Sequence, residues 1–312
     1  MNEDSLNKIK KNSTLVLIPY WSKQWKPAFD FMFGESILLD KKTDETQIRK
    51  FNELCNSRGL KNLILVDYDI SYRDILPYIS PKTTINWIFT HPAATLTDGI
   101  VMNALRTILE FYDRDLVNVI GSFDKTLYFS LKKAGYRIKY ILPDVKFNDE
   151  NLFEKGNLAI ISDDTSPYHS YYNMLSALKL VHYKKIKLGK MVERTKEFIS
   201  NFDINVEEVK SFDKLISHNE INLYVNFSDT LYCNVLRSLD HGIPCLLGNT
   251  DIFDDYPYLK EQLVLKSDDD VNEIFSKINS IKQNKDKIIE TYKNFRKKYI
   301  KDSLNSINDF LK

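Results

Sequence analysis

Cysteine is scarce in this chain of 312 residues: only Cys55, Cys233 and Cys245 occur. None stands at C-x-x-C spacing, so neither a disulfide framework nor a thiolate zinc cage is expected, and a reducing cytoplasm fits best. Long apolar runs are missing too; nowhere do the roughly 18 residues that a membrane-spanning helix needs run together. The opening stretch MNEDSLNKIKKN lacks the apolar segment of a signal peptide. There is no excess of charge, with 44 basic residues against 43 acidic ones, which argues against nucleic acid as a partner and makes any charged site local. No repeat of solenoid length recurs. The 43% hydrophobic content sets the chain apart from disordered ones, and its length has room for two domains that each bury a core. A soluble cytoplasmic protein is expected, with peripheral contact at the inner face of a membrane left open.

What is present is a rhythm. Short apolar runs recur at TLVLIPY (14–20), SILLD (36–40), NLILVDYD (62–69), INWIFTH (85–91), VNVIGS (117–122) and IKYILP (138–143), with helical spacing at 45–59 and 98–115. Near-continuous apolar strands alternating with helices predict a parallel sheet covered on both faces. After a polar linker candidate at 144–157, the rhythm restarts with LAIISD (158–163), a helical pattern from residue 170, INLYVNFS (221–228) and IPCLLG (243–248). The C-terminal stretch reads as two or three polar-faced helices. The expected organisation is a Rossmann-like domain at 1–150, a second at 151–285, and C-terminal helices of which the last, 286–312, has an amphipathic spacing that permits it to pack back on the first domain. Ligand chemistry is expected at the carboxyl ends of the strands, in a cleft between the domains.

The most informative stretch is NFSDTLYCNVLRSLDHGIPCLLGNTDIF, residues 226–253. Ser228 or Asp229 suits the N-cap of a helix, Gly242 a helix stop, and Pro244 follows it. The amides of Asp229, Thr230, Leu231 and Tyr232 would then open a helix N-terminus, a natural seat for phosphate. A carboxylate there makes sense if the ligand also carries hydroxyl groups, since it accepts their hydrogen bonds.

These residues resemble the E-x7-E region of GT-B glycosyltransferases, of the family 4 type found among bacterial surface-polysaccharide enzymes. Ser228, Asn234, Val235, Leu236, Ser238, Leu239, Gly242, Pro244, Cys245 and Leu246 match a pattern of the form SE…PNVVLESLAxGVPCL. The resemblance implies that Asp229, on the first acid, contacts the donor sugar. Arg237 falls on the second, which in that family commonly binds the nucleotide ribose; a guanidinium cannot accept a hydroxyl proton, so here the chain departs from the pattern. A second stretch, LAIISDDTSPYHSYYNMLSALKLV (158–181), is similar to the opening of the donor domain, with Tyr172, Asn173, Leu175 and Ala177 in place and His169 where a lysine near the diphosphate is expected.

The bland alternatives stand beside each of these. Asp229 is either a sugar contact or only a cap, and Arg237 either reaches phosphate or lies solvated on its helix. His91, at the end of an apolar run, either deprotonates or holds an acceptor, or bonds the backbone of its loop. Trp21 and Trp25, in an aromatic-rich loop, either stack on an acceptor or pack in the core. The lysine run YKKIKLGK (183–190) touches diphosphate or an anionic surface, or is a solvated charge run. Asp163 and Asp164 end a strand, but no carboxylate pair stands in a setting that demands a metal. The resemblance implies a metal-independent GT-B hexosyltransferase without cofactor, moving a sugar from a nucleotide diphosphate donor such as a UDP-sugar to a glycan, glycoprotein or lipid-linked acceptor. The rival is a non-catalytic GT-B homologue that serves a partner glycosyltransferase, which the departures at Arg237 and His169 would suit.

Overall fold

The computed structural model describes residues 14–34, 36–39, 45–57, 59–145, 150–162, 170–201, 205–226 and 232–312. The chain divides into two units, Met1–Lys146 with Ile300–Lys312, and Phe147–Tyr299.

The first unit is built on six parallel strands, β1 (Thr14–Ile18), β2 (Ser36–Leu38), β3 (Asn62–Val66), β4 (Thr84–Phe89), β5 (Val119–Ser122) and β6 (Ile138–Tyr140), in the order β2-β1-β3-β4-β5-β6. They are the six apolar runs of the sequence. Leu15, Val16, Leu17 and Ile18, like Leu63, Ile64, Leu65 and Val66, are all fully buried, because helices cover both faces and leave no reason for alternation. Asp98 caps the helix Gly99–Asp113 by accepting from the Ile100 amide at 2.8 Å. The chain leaves β1 toward β2, then crosses to β3 and continues the other way. The carboxyl ends of β1 and β3 therefore flank the point where the winding reverses, the usual place for a ligand in an open parallel sheet.

The second unit has five parallel strands, β7 (Phe153–Ile160), β8 (Lys185–Leu188), β9 (Val206–Glu208), β10 (Asn219–Tyr224) and β11 (Cys245–Leu247), in the order β11-β10-β7-β8-β9. Its winding reverses between β7 and β10. Two expectations are corrected here. The lysine run at 183–190 is largely strand: Ile186 and Leu188 are buried while Lys185 and Lys187 alternate outward, the two-residue period of a half-covered strand. Lys187 is turned to its own fold, donating to the carbonyls of Ser217 and His218 at 3.0 and 3.1 Å. The presumed linker also contains structure, since β7 begins at Phe153.

The C-terminal region is a single helix of 40 residues, Val271–Phe310, and not two or three. No glycine or proline interrupts it, so nothing in the backbone stops it. Ile274, Ile278, Ile281, Ile288, Tyr292, Phe295 and Tyr299 form its buried side in the second unit. Its last turns belong to the first unit, where Ser303 Oγ donates to the Leu142 carbonyl at 2.8 Å and Ser306 Oγ accepts from the Leu142 amide at 3.1 Å. Among the described residues no helix is long and apolar enough to cross a membrane.

Candidate functional site

In the second unit the exits of β7 and β10 meet at the reversal point. The Ser170 amide donates to the Val225 carbonyl at 3.1 Å, which docks the start of the helix Tyr171–Leu178 against the end of β10. Ser162, just past β7, and Ser170 are 6% and 5% exposed, yet neither hydroxyl finds a hydrogen-bond partner among the described residues. A buried, unmet hydroxyl costs about 1–3 kcal/mol. Ser162 follows β7 and Ser170 precedes the helix Tyr171–Leu178, so both stand on the carboxyl side of the sheet near its winding reversal. Sequence reasoning missed both, because their meeting depends on strand order.

The neighbouring exit from β11 is equally tight. A Cβ on Gly248 would lie 2.5 Å from the Asn226 carbonyl oxygen, 3.0 Å from its nitrogen and 2.8 Å from Asp268 Oδ1, so only glycine lets these backbones approach. Asp268 accepts the Asn249 amide. Burial pushes its carboxyl pKa up, and that amide opposes the shift in part. A carboxyl that holds its proton more tightly when folded favours the folded state in acid, and the advantage is lost as pH rises through its folded-state pKa. Asp268→Asn keeps an acceptor for Asn249 and removes the charge. It is expected to melt at a higher temperature than wild type at neutral pH, with the difference closing as pH falls below the ordinary carboxylate range. A difference independent of pH would show that the charge is not the cause.

Of the donor-side residues expected from sequence, Ser228, Asp229, Thr230, Leu231 and His169 lie outside the described residues. The helix that follows them is described over Tyr232–Asp240. It buries Cys233, Val235, Leu236 and Leu239 and stops as the local sequence predicts. Gly242 adopts φ 73°, its amide reaching the Leu239 carbonyl at 3.0 Å and that of Ile243 the Ser238 carbonyl at 3.0 Å. Asn173 lies in the first turn of the helix Tyr171–Leu178, partly buried. Arg237 is not a solvated side chain, and that reading is corrected. Its guanidinium meets Asp213 at 2.5 Å and lies 5.9 Å from the centre of the Phe212 ring, on the short helix Phe212–Ile216.

In the first unit, Asp67 follows β3 with its backbone at φ 49° and its side chain fully buried. Its carboxylate accepts from Ser22 Oγ at 2.6 Å and from the Thr90 amide at 2.8 Å, and the Thr90 hydroxyl lies within 2.8 and 3.0 Å of its two oxygens. Ser22 lies beyond β1 and Thr90 beyond β4, the two neighbours of β3 in the sheet. Next to them stand two expected acceptor residues, brought together: Trp21 is 46% exposed, with its ring centre 5.7 Å from that of His91 at an interplanar angle of 34°. Phe89 backs His91 at 5.3 Å. Trp25 is corrected to a core residue; it is 4% exposed and packs on Phe123 at 5.0 Å, so it offers no face to an acceptor.

Among the described residues no three His, Cys, Asp or Glu side chains gather in a way that could hold a metal ion. No protein-family model matches the sequence, and no curated protein matches it. Solved structures do match by shape. Sucrose-phosphate synthase from Thermosynechococcus elongatus superposes with a TM-score of 0.64 at 10% identity, over 92% of this chain and 93% of that one. HepE from Anabaena, solved in complex with UDP and glucose, gives 0.60 at 9% identity over 96% and 98%. A chain of the GtfA/B complex gives 0.52 at 11% identity over 87% of this chain, which spans only 62% of that longer one. Two parallel α/β units, each with a winding reversal in its sheet, thus make up a GT-B fold.

Proposed function

We propose that the chain is a glycosyltransferase that moves a sugar from a nucleotide diphosphate donor, bound by the second unit, to an acceptor hydroxyl presented at the first. The observation that carries this reading is the pair of buried hydroxyls of Ser162 and Ser170, unpartnered among the described residues, at the β7/β10 reversal of a GT-B second unit. Phosphate oxygens would accept from both, and the amides opening the helix Tyr171–Leu178 would add their dipoles. Asp229 would orient the sugar, and the amides of Thr230, Leu231 and Tyr232 would help stabilise the departing diphosphate. His91 would receive the acceptor proton or hold the acceptor. Metal independence, a hexose as the transferred sugar, a family 4 relationship and a cytoplasmic setting belong to this proposal, as does a glycan, glycoprotein or lipid-linked acceptor. HepE supports a UDP-sugar as donor by likeness alone.

A second reading, a binding partner of another glycosyltransferase, is favoured by one observation. Arg237, at the position where the resemblance implies a ribose-binding acid, is paired with Asp213, and a fold relative forms the GtfA/B complex. Titration calorimetry with uridine, UMP and UDP separates the two. For the transferase, affinity should rise steeply from nucleoside to diphosphate. Ser162→Ala and Ser170→Ala should each weaken UDP by about tenfold, the worth of one hydrogen bond to a charged group, while leaving the free protein as stable as wild type or more so. No binding of any nucleotide would remove the transferase reading and leave the partner one.

A further inference from the structure

We infer that Asp67 is a positioning residue that fixes Trp21 against His91 as a platform for one ring of a saccharide acceptor, an inference that rests on the glycosyl-transfer reading. Asp67 is an expensive residue for the interior. Its carboxylate is fully buried, and its hydrogen-bond donors are neutral: the Ser22 and Thr90 hydroxyls and the Thr90 amide. Its backbone sits in the left-handed region at φ 49°, which costs a residue other than glycine free energy. Packing alone would be served better by an apolar side chain, since burying a carboxylate among neutral groups recovers only part of its lost hydration. The cost needs another return.

The connections of this network supply one. β3 lies between β1 and β4, so a carboxylate at its carboxyl end can hold both flanking exits at once. It grips the residue next to each platform ring: Ser22 follows Trp21, and Thr90 precedes His91. Ser22 has a non-helical conformation within the turn Tyr20–Trp25, so its bond to Asp67 sets where the turn bends and hence where the indole projects. Trp87 adds a further tie by donating its indole N–H to the Asp67 carbonyl. The product is an exposed indole beside a partly exposed imidazole, at the reversal point between β1 and β3. An apolar ring face with a donor and acceptor at its edge suits a pyranose, which has a C–H face and a rim of hydroxyls.

The chain has three tryptophans, of which Trp25 is 4% exposed and Trp87 fully buried; collisional quenching by acrylamide therefore reports on Trp21. Methyl β-glucoside, methyl β-galactoside and methyl N-acetyl-β-glucosaminide serve as probes at millimolar concentration. At least one is expected to shield Trp21 in the wild type, and Trp21→Phe should abolish the signal. Asp67→Asn and Thr90→Val should weaken that glycoside about tenfold, because a loosened support misplaces the ring it holds. Thr90→Ser, which keeps the hydroxyl, should bind as wild type does. The valine and serine pair decides the matter should the Asp67 variant fail to fold. Absence of shielding in the wild type, or wild-type affinity in Thr90→Val, overturns the inference. Shielding that behaves as expected in a protein that binds no UDP upholds the platform and removes the transferase reading instead.

Discussion

Asp240→Ala is expected to lower the stability of the second unit by about 3–5 kcal/mol, the range for breaking a buried ion pair from one side. Asp240 closes the helix Tyr232–Asp240 and receives two bonds from Arg296 Nε, at 3.1 and 3.2 Å, and one from the Tyr292 hydroxyl at 2.7 Å. The side chains of Arg296 and Asp240 are only 12% and 13% exposed. Removing the carboxylate takes away the acceptor of Arg296 Nε and of the Tyr292 hydroxyl where water barely reaches, and that loss is larger than the net worth of the pair. For a unit of this size the melting temperature should fall by ~10 °C. Asp240→Asn, which still accepts from Tyr292, should fall in between. Replacing both partners at once, as Asp240→Leu with Arg296→Met, should recover much of the loss, because no charge is left behind. Urea denaturation of the three variants beside wild type measures this; a loss below about 1 kcal/mol for Asp240→Ala would reduce the pair to the level of an exposed one.

Much of the fold could be read before any coordinates because its central strands are buried on both faces. Runs such as LVLI and LILV leave little choice of element. The misses have a common cause. β8 lies toward the sheet edge and mixes buried Ile186 and Leu188 with Lys185 and Lys187, so its charges concealed a two-residue period. Val271–Phe310 carries an amphipathic pattern that is plain in the sequence, but its continuity follows from the absence of any helix breaker, which is easily taken for several helices in series. In the site, Gly242 and Pro244 were readable since a helix stop is local chemistry. Arg237 was not, because its partner Asp213 lies on an earlier element and obeys no helical spacing. Ser162 and Ser170 acquire meaning only when β10 is placed beside β7. Trp21 and Trp25 look alike in one short loop; packing against Phe123 separates them. Asp67 left one signal that could have been taken up, an acid ending the apolar run NLILV in the middle of a series of buried strands.

Asp229→Ala is expected to lower sugar transfer by about a hundredfold or more while the protein stays folded. Asp229 lies outside the described residues, so the expectation rests on its place in the sequence, between β10 and the helix that is described from Tyr232, and on the proposed donor site. Two roles compete for it, and they differ in size and kind. As an N-cap alone, its loss would cost about 1 kcal/mol of stability and would leave transfer by the folded protein nearly intact. As the carboxylate that accepts hydrogen bonds from the donor sugar, each charge-assisted bond is worth about 1.5–3 kcal/mol, and a sugar held by fewer contacts reaches the reacting geometry less often. The deficit should then fall on turnover with the complete sugar nucleotide and not on the affinity for UDP, whose contacts lie with the phosphate-facing groups. Asp229→Asn should retain most of the cap and little of the transfer, since its amide offers one acceptor oxygen and no charge. Three measurements on both variants decide between the roles: melting temperature, UDP affinity by calorimetry, and transfer rate with a sugar nucleotide. A loss of about 1 kcal/mol of stability with transfer nearly intact would leave Asp229 as a cap; a stable protein that binds UDP normally and transfers poorly would identify it as the residue that orients the sugar.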